Sequence, residues 1–589
     1  MAAVLLDVLE REGVRHLFGL PGGALVAILN ELKSRRDQLT YVVCRHETGA
    51  AYAADGYARA GGGLGVVLVT SGPGATNSLT GTMNADAAGT PLLAITGEIA
   101  TQYFGRGYLQ EGVDAGLDVV EVFRGAAGYS EIVGSALDFP ELLFSALRVA
   151  RGVPNRAAHL SIPGDIAATP VAGFIPPITT AAYRATPGSV DRAGVGAAVE
   201  VIAAAQRPLL LLGNGCRAAL RDTELLAQLT AAVEVLAVPV ITEPDSKGIF
   251  PETHELSLRN YGMAGCSWPR YYMCDLTGAG RRQFDTLVVI GCQLGELATY
   301  GWEPYDPILV PAGPFVQIDD DQREIGRTFS ITRGVVSEIG PALRAFADAA
   351  IAHAVQPAVV AARRAFIASI KNAHSPFADP AAASCDSDPI KPQALIAVLN
   401  DVLPAGGHVW VDAGNCVGWC LNGLVIDPPT RAHFSLSMGP MGFAVGAVVG
   451  GKLADPAATG IAVVGDGGFM MHLGEVATAA QYRVGAIWVV LADHDLAMVS
   501  QGMTHVEDDP SFLHYYEIGW NDLATAAQGL GADAVMVRTV ADTRAALVAA
   551  IARAAEGVPQ VVGVVIDTSE IPSYYPPPYP PATSSGGRG

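Results

Sequence analysis

Apolar runs of four to seven residues recur along this chain, each closing on glycines or an acidic residue. Several are followed by stretches whose apolar positions fall three and four apart. That alternation predicts strand, turn and helix in repeating order, with parallel strands joined by right-handed crossovers. Ile461–Val464 breaks into Gly465-Asp466-Gly467-Gly468; helical spacing follows at Leu473, Val476, Ala477 and Ala480; Ala486–Ala492 then ends in Asp493-His494-Asp495. Near the amino end, Ala2–Gly13 and Thr48–Ala60 are predicted as helices, and His16–Leu20, Tyr41–Cys44, Gly65–Thr70 and Pro91–Gly97 as strands. In the middle, strands are predicted at Arg207–Leu212, Leu287–Ile290 and Phe315–Ile318, ending on Gly213-Asn214-Gly215, Gly291 and Asp319-Asp320-Asp321. His408–Asp412 opens a last group. The fold class is therefore α/β, with three doubly wound domains of mainly parallel sheet at 1–170, 188–350 and 389–572. Residues 351–388 form a linker that opens on an Ala-rich helix and continues rich in Pro, Ser and Asp, and 573–589 a loose Pro-, Gly- and Ser-rich tail.

Composition fits that picture. At 589 residues the chain is too long for one core, and 50% hydrophobic residues with 67 glycines suit sheets covered on both faces. A formal charge of −21 argues against nucleic acid or an anionic membrane as partner, and leaves an anionic substrate open because local fields decide that. The eight cysteines show no CxxC pairing, so neither a zinc site nor a disulfide framework is indicated, and a reducing cytoplasm is expected. No apolar run approaches the ~18 residues of a membrane helix, and the chain starts in an amphipathic helix with no signal peptide.

Candidate chemistry gathers at strand ends. The crossover sets Asp466 and Asp493 at neighbouring carboxyl ends of one sheet, the edge where ligands of open α/β sheets bind. Bare glycines let backbone N–H groups approach a phosphate, and hard carboxylate oxygens suit magnesium or calcium. A metal with a diphosphate is the expected occupant.

Gly465-Asp466-Gly467, followed after a helix and a strand by Asp493, resembles the signature of the thiamine-diphosphate (ThDP) enzymes. The resemblance implies a Mg²⁺ ion held by Asp466, by Asp493 27 positions later, and by a carbonyl at Asp495. Asp493 stands where the family usually has Asn, a change shared with some catabolic acetolactate synthases, and it keeps an oxygen ligand. RHETGAAYAADGYARA (45–60) and VLVTSGPGATN (67–77) resemble the family's pyrimidine-binding domain. There Glu47 would share a proton with N1′ of the aminopyrimidine, so that the 4′-imino form can take the thiazolium C2 proton. By the same comparison, cofactor contacts fall at Pro21, Gly22, Gly74 and Asn77, at Gly414, Asn415 and Cys416, at Gly465, Gly467 and Gly468, and at Met498. Ser437–Ala444 is similar to the turn that grips the pyrimidine, with the Gly439 carbonyl accepting from the 4′-amino group and Met441 wedging the cofactor; a Met in an apolar stretch is also plain core.

Phe18–Ala24 and Gln110-Glu111 look like the acetohydroxyacid (acetolactate) synthase group, which places Gly23 and Gln110 beside substrate as candidate catalytic positions with Glu47. The implied reaction is decarboxylation of a 2-oxo acid, pyruvate first, and carboligation to a carbonyl acceptor. A 2-oxo acid decarboxylase, a benzaldehyde-lyase-like C–C lyase and a flavin-linked pyruvate oxidase are the alternatives. Departures bear on the acceptor: Gly97-Glu98-Ile99 replaces Gly-Gln-Val, the synthase's Lys falls near Gly128, and Met-Val-Lys-Gln-Trp becomes Met498-Val499-Ser500-Gln501-Gly502. They predict a roomier, less cationic acceptor site, since lost basic groups cannot grip a carboxylate. The middle domain carries FAD in the synthases, and Phe250-Pro251-Glu252 and Tyr261–Gly265 resemble them. Gly291–Leu297 lacks both arginines of the family's stretch there, which leaves FAD open. His46, His472 and His494 are minor candidates as proton shuttles. Because the Glu47 and Asp466 domains face one cofactor from different subunits in this family, a homodimer or homotetramer is implied, with active sites at the subunit interface.

Overall fold

The computed structural model describes residues 1–114, 116–171, 179–185, 188–275, 282–299, 308–504, 510–519 and 521–574. The tail predicted at 573–589 lies outside them from 575 on. The chain forms two compact units, one of residues 1–187, 407–416 and 435–566, the other of 188–406, 417–434 and the described residues from 567.

The first unit holds two sheets. In the amino-terminal one, β1 (His16–Gly19), β2 (Thr40–Val43), β3 (Gly65–Val69), β4 (Leu92–Glu98), β5 (Tyr129–Ile132) and β6 (Ala157–Pro163) lie in the order β2-β1-β3-β4-β6-β5, all parallel. β3, β4 and β6 are buried at every position, which is why they read as unbroken apolar runs rather than alternating ones.

The central sheet belongs to the second unit. Its strands β7 (Pro208–Leu212), β8 (Val240–Thr242), β9 (Ser257–Asn260), β10 (Thr286–Ile290), β11 (Phe315–Asp319) and β12 (Arg333–Val336) run parallel in the order β9-β8-β7-β10-β11-β12.

The carboxyl-terminal sheet carries β13 (His408–Val411), β14 (Gly460–Gly465), β15 (Ala486–Ala492), β16 (Asp533–Val537) and β17 (Gln560–Val565), parallel in the order β13-β14-β15-β17-β16. Two helices of small residues join the two sheets of the first unit: α1 (Glu47–Tyr57) and α3 (Phe443–Ala454), with α2 (Pro73–Ala87) beside α1. A Cβ on Gly450 would stand 1.7 Å from the Ala53 carbonyl oxygen, and one on Gly56 2.1 Å from that of Ala447. The backbones touch where side chains would hold them apart.

The predicted glycine turn after β14 differs in form. β14 runs on through Gly465, and Asp466 opens the short helix α4 (Asp466–Met471), with α5 (Glu475–Tyr482) after it. A carboxylate in a first turn suits the orphan N–H groups there, so the strand passes straight into helix. Among the described residues no helix is long and apolar enough to cross a membrane. All eight cysteines are free and seven are buried.

Candidate active site

At the carboxyl edge of the carboxyl-terminal sheet, Asp466 is buried; its Oδ1 accepts from the Gly467 N–H at 2.9 Å and its Oδ2 from the His494 N–H at 2.8 Å. Burial raises its pKa. Asp493, at the end of β15, is pushed up to about 7, first by burial and then by the charge of Asp466. Two buried carboxylates whose ionisation is opposed by burial, one of them also by the other's charge, are what a cation relieves. Asp495 follows: its N–H donates to Asp493 Oδ1 at 3.4 Å, its Oδ2 accepts from the Ser500 hydroxyl, and its Oδ1 has no partner. An antiparallel bridge pairs Asp495 with Glu517, but the bonds flanking it use the His494 carbonyl and the Leu496 N–H, which leaves the Asp495 carbonyl out of the ladder.

Among the described residues no three Asp, Glu, His or Cys side chains gather into a closed metal cage. Two carboxylates, one spare carbonyl and vacant positions for phosphate oxygens are the mode magnesium favours. The residues present therefore fit a divalent ion shared with a phosphate group.

Glycines around that pair leave room or pack tightly. A Cβ on Gly467 would lie 2.9 Å from Leu496 and 3.3 Å from the Met441 methyl, whereas Gly465 and Gly414 (φ +118°) face open space. Asn415 opens a helix (Asn415–Gly423), and its amide donates to Gln501 at 2.8 Å, tying the β13 loop to helix α6 (Ala497–Met503). Cys416 turns inward, its thiol 3.0 Å from the Asp412 carbonyl. Met498, on α6, is 39% exposed.

Asp412 is the organiser that the sequence reading passes over. Fully buried at the end of β13, it accepts from the N–H groups of Gly442 (2.8 Å) and Ala444 (2.9 Å), which fixes the Gly439–Gly442 turn and the start of α3. Burial pushes its pKa to about 7. A Cβ on Gly468 would stand 2.3 Å from its Oδ2, so Gly468 is bare because Asp412 fills that space. Gly439 (φ +66°) and Gly442 (φ +84°) take a left-handed backbone that favours glycine.

Glu47 opens α1 at the carboxyl edge of the amino-terminal sheet, buried, with Oε2 accepting from the Asn77 amide at 3.0 Å. A Cβ on Gly74 would lie 3.5 Å from Glu47 Oε1 and 2.8 Å from Thr70, and one on Gly22 would collide with the Thr70 hydroxyl, which is buried without a partner. Pro21 and Gly23 are exposed, with open space beside Gly23. Gln110 is exposed with φ +61°, and its Cα would be 3.1 Å from a Cβ on Gly72. Its loop is pinned from below: Glu98 accepts from the Gly112 N–H at 3.1 Å, and Glu111 from the N–H groups of Gly105 and Tyr108. Gly128 does not belong to this edge. It precedes β5 and its N–H meets Ala157 at the start of β6, the opposite end of the sheet.

The histidines take positioning roles. His46 caps α1, its Nδ1 accepting from the Thr48 N–H at 3.1 Å. His472 is buried edge-on to Tyr52, with its pKa lowered to about 4 by burial and then by His46. His494 donates its backbone N–H to Asp466. Glu475, another carboxylate the sequence reading misses, is buried on α5 and accepts from the N–H groups of Arg45 (3.0 Å) and His46 (3.1 Å), holding the turn that leads into Glu47. No hydrogen bond or ion pair joins Glu47 to Asp466, Asp493 or Asp495 among the described residues.

Comparison with known proteins matches the chain to three families: thiamine pyrophosphate enzyme, N-terminal TPP binding domain, over residues 1–117; the central domain over 195–346; and the C-terminal TPP binding domain over 412–564. A Mycobacterium tuberculosis protein named provisionally as an acetolactate synthase large subunit is 31% identical, covering 96% of this chain and 97% of its own. The Escherichia coli acetolactate synthase isozyme 3 large subunit is 29% identical over 85% and 83% respectively. An acetolactate synthase of Arthrospira platensis is 28% identical over 91% and 89%.

Proposed function

Because the chain belongs to the thiamine pyrophosphate enzymes, we propose that it decarboxylates a 2-oxo acid, pyruvate first, and joins the remaining acyl unit to a carbonyl acceptor. When bound, ThDP supplies a carbon nucleophile and a sink for the charge left as carbon dioxide departs. Asp466, Asp493 and the Asp495 carbonyl would hold Mg²⁺, and Gly467, Gly468, Gly414 and Asn415 would let the diphosphate approach. Glu47 would give and take the proton that the pyrimidine ring needs, and the Asn77 amide, donating to its Oε2, would fix the carboxylate. Met441 lies against Gly467 and supports the cofactor, and Gln110 and the Gly23 N–H border the substrate. The division into pyrimidine-binding (1–170), central (188–350) and diphosphate-binding (389–572) parts belongs to this proposal.

The observation that carries the reading is the Asp466–Asp493 pair beside a spare carbonyl and a bare turn. For the acceptor, a Cβ on Gly502 would meet nothing within 4 Å, and Ser500, where the synthases have Lys, is spent on Asp495. Both support an acceptor site wider and less cationic than a synthase's, suited to an aldehyde, a ketone or a larger oxo acid. The Gly128 position, at the far edge, adds nothing to that argument.

Exposed apolar side chains stand beside both edges, Tyr108 and Leu109 on a loop at one, and Met438, Met471 on α4, and Met498 and Val499 on α6 at the other. They support a second copy covering this face, hence a homodimer or homotetramer. Eight free thiols suit a reducing cytoplasm.

The test is product analysis with ThDP and Mg²⁺ present. Carbon dioxide release from pyruvate that needs both, with a carboligation product favoured by an added aldehyde or bulky oxo acid, is expected. Efficient acetolactate formation from pyruvate alone would overturn the acceptor assignment; absence of ThDP-dependent carbon dioxide release would overturn the donor.

A further inference from the structure

The central sheet has its topological switch between β7 and β10, and dinucleotides bind in the crevice such a switch opens at the carboxyl edge. Phosphate is held there by the amides of a glycine turn. In this chain the turn is Gly213-Asn214-Gly215, and each of its amides is already used. The Gly213 N–H donates to the Ile290 carbonyl and that of Gly215 to the Gly291 carbonyl, both at 2.9 Å. The Asn214 N–H donates to the Glu243 carboxylate at 2.5 Å, and the other oxygen of Glu243 is 3.1 Å from the Cys292 thiol. The crevice itself is narrow: a Cβ on Gly213 would lie 2.2 Å from the Gly291 carbonyl oxygen and 2.4 Å from Cys292.

Charge points the same way. Asp319 and Asp320 stand at the end of β11, and burial together with their acidic neighbours raises both pKa values, Asp319 to about 7. Glu243 is likewise pushed up to about 7, chiefly by burial. The nearby guanidinium of Arg217 is engaged by the Asn214 side chain at 3.0 Å, the Ala432 carbonyl at 2.8 Å and the Asp245 carbonyl. A diphosphate entering here would displace a carboxylate from the one amide that points at it and meet two more carboxylates behind.

We infer that the Glu243 carboxyl sits where a dinucleotide phosphate would bind and takes the amide that phosphate would need, so that the central domain takes no FAD and serves as a support. The residues at this edge do not fit the flavin that the synthase resemblance leaves open. The inference stands apart from the proposed reaction, since it concerns a different sheet and is read without any turnover.

Two measurements test it. The purified protein, dialysed against excess FAD and separated on a desalting column, is expected to show no absorbance near 450 nm; stoichiometric retained flavin would overturn the inference. In Glu243→Ala the Asn214 N–H loses its acceptor, so inorganic phosphate is expected to raise the melting temperature of the variant and not that of the wild type, both saturated with ThDP and Mg²⁺. An equal phosphate response in the two proteins would also overturn it. Glu243→Gln keeps an acceptor for Asn214 and is expected to behave as wild type towards phosphate; should Glu243→Ala fail to fold, the flavin measurement on the wild type decides.

Discussion

Glu47 meets Asn77 through one 3.0 Å hydrogen bond, and a Gln there can turn its carbonyl to the same amide. Shape is then kept while the ability to exchange a proton is lost. General acid–base catalysis contributes about 10²–10⁴-fold, so Glu47→Gln should lower kcat by at least about 10²-fold with little change in melting temperature. Steady-state carbon dioxide release beside a thermal melt checks both halves, and unchanged turnover would remove Glu47 from the mechanism. Residues of this kind are legible because they sit inside motifs. Asp412, Glu475 and Glu243 are not: each is a buried or half-buried carboxylate whose partners are backbone N–H groups 29 to 430 positions away. No local pattern marks such a pairing, since any residue type can supply the amide. Asp412 looks in the sequence like an ordinary strand end, and only the fold shows that it shapes the turn around Gly442.

The ten strands given a predicted span agree with it to within a residue or two, since a strand buried on both faces is one apolar run with polar ends, whereas β5, β6, β8, β9, β12, β16 and β17 have no predicted span. What periodicity does not show is how closely elements approach. Gly450 lies inside α3, where Ala is favoured over Gly by about 1 kcal/mol. Its Cβ, however, would stand 1.7 Å from a backbone carbonyl that cannot swing aside, and overpacking costs about 1–3 kcal/mol, with a clash this close at the upper end. The second effect wins, so Gly450→Ala should destabilise the protein by about 2 kcal/mol, read as an earlier urea midpoint. His159 ties β4 to β6 and β5 in a comparable way. It is fully buried, stacked 3.9 Å from Phe123, and bonded to Thr96 (2.9 Å) and Ser130 (2.8 Å), with burial lowering its pKa to about 3. The folded chain keeps it neutral, whereas the unfolded chain protonates it below about pH 6.5, so its contribution is present above that pH and is lost as pH falls towards 3. His159→Gln, which does not titrate, should lose about 2 kcal/mol less stability than the wild type between pH 7 and pH 5. Denaturation curves at the two pH values give the comparison.

At the scale of the whole molecule, the two acidic groups of the candidate site come from opposite ends of the chain, Glu47 from the amino-terminal sheet and Asp466 with Asp493 from the carboxyl-terminal one. Among the described residues no hydrogen bond or ion pair links them, and exposed apolar side chains stand beside both edges. If a second copy completes each site, as proposed, then a site needs Glu47 from one subunit and Asp466 from the other. That arrangement has a stoichiometric consequence. Glu47→Gln and Asp466→Ala should each be inactive alone. Unfolded and refolded together in equal amounts, random pairing makes about half of the dimers mixed, and each mixed dimer holds one site with both groups intact and one with neither. Activity of the mixture should therefore recover to about a quarter of the wild-type value. If instead each site were built within a single chain, every site would lack one group and mixing would restore nothing. The two outcomes differ by far more than assay error, and the result does not depend on which acceptor the enzyme uses.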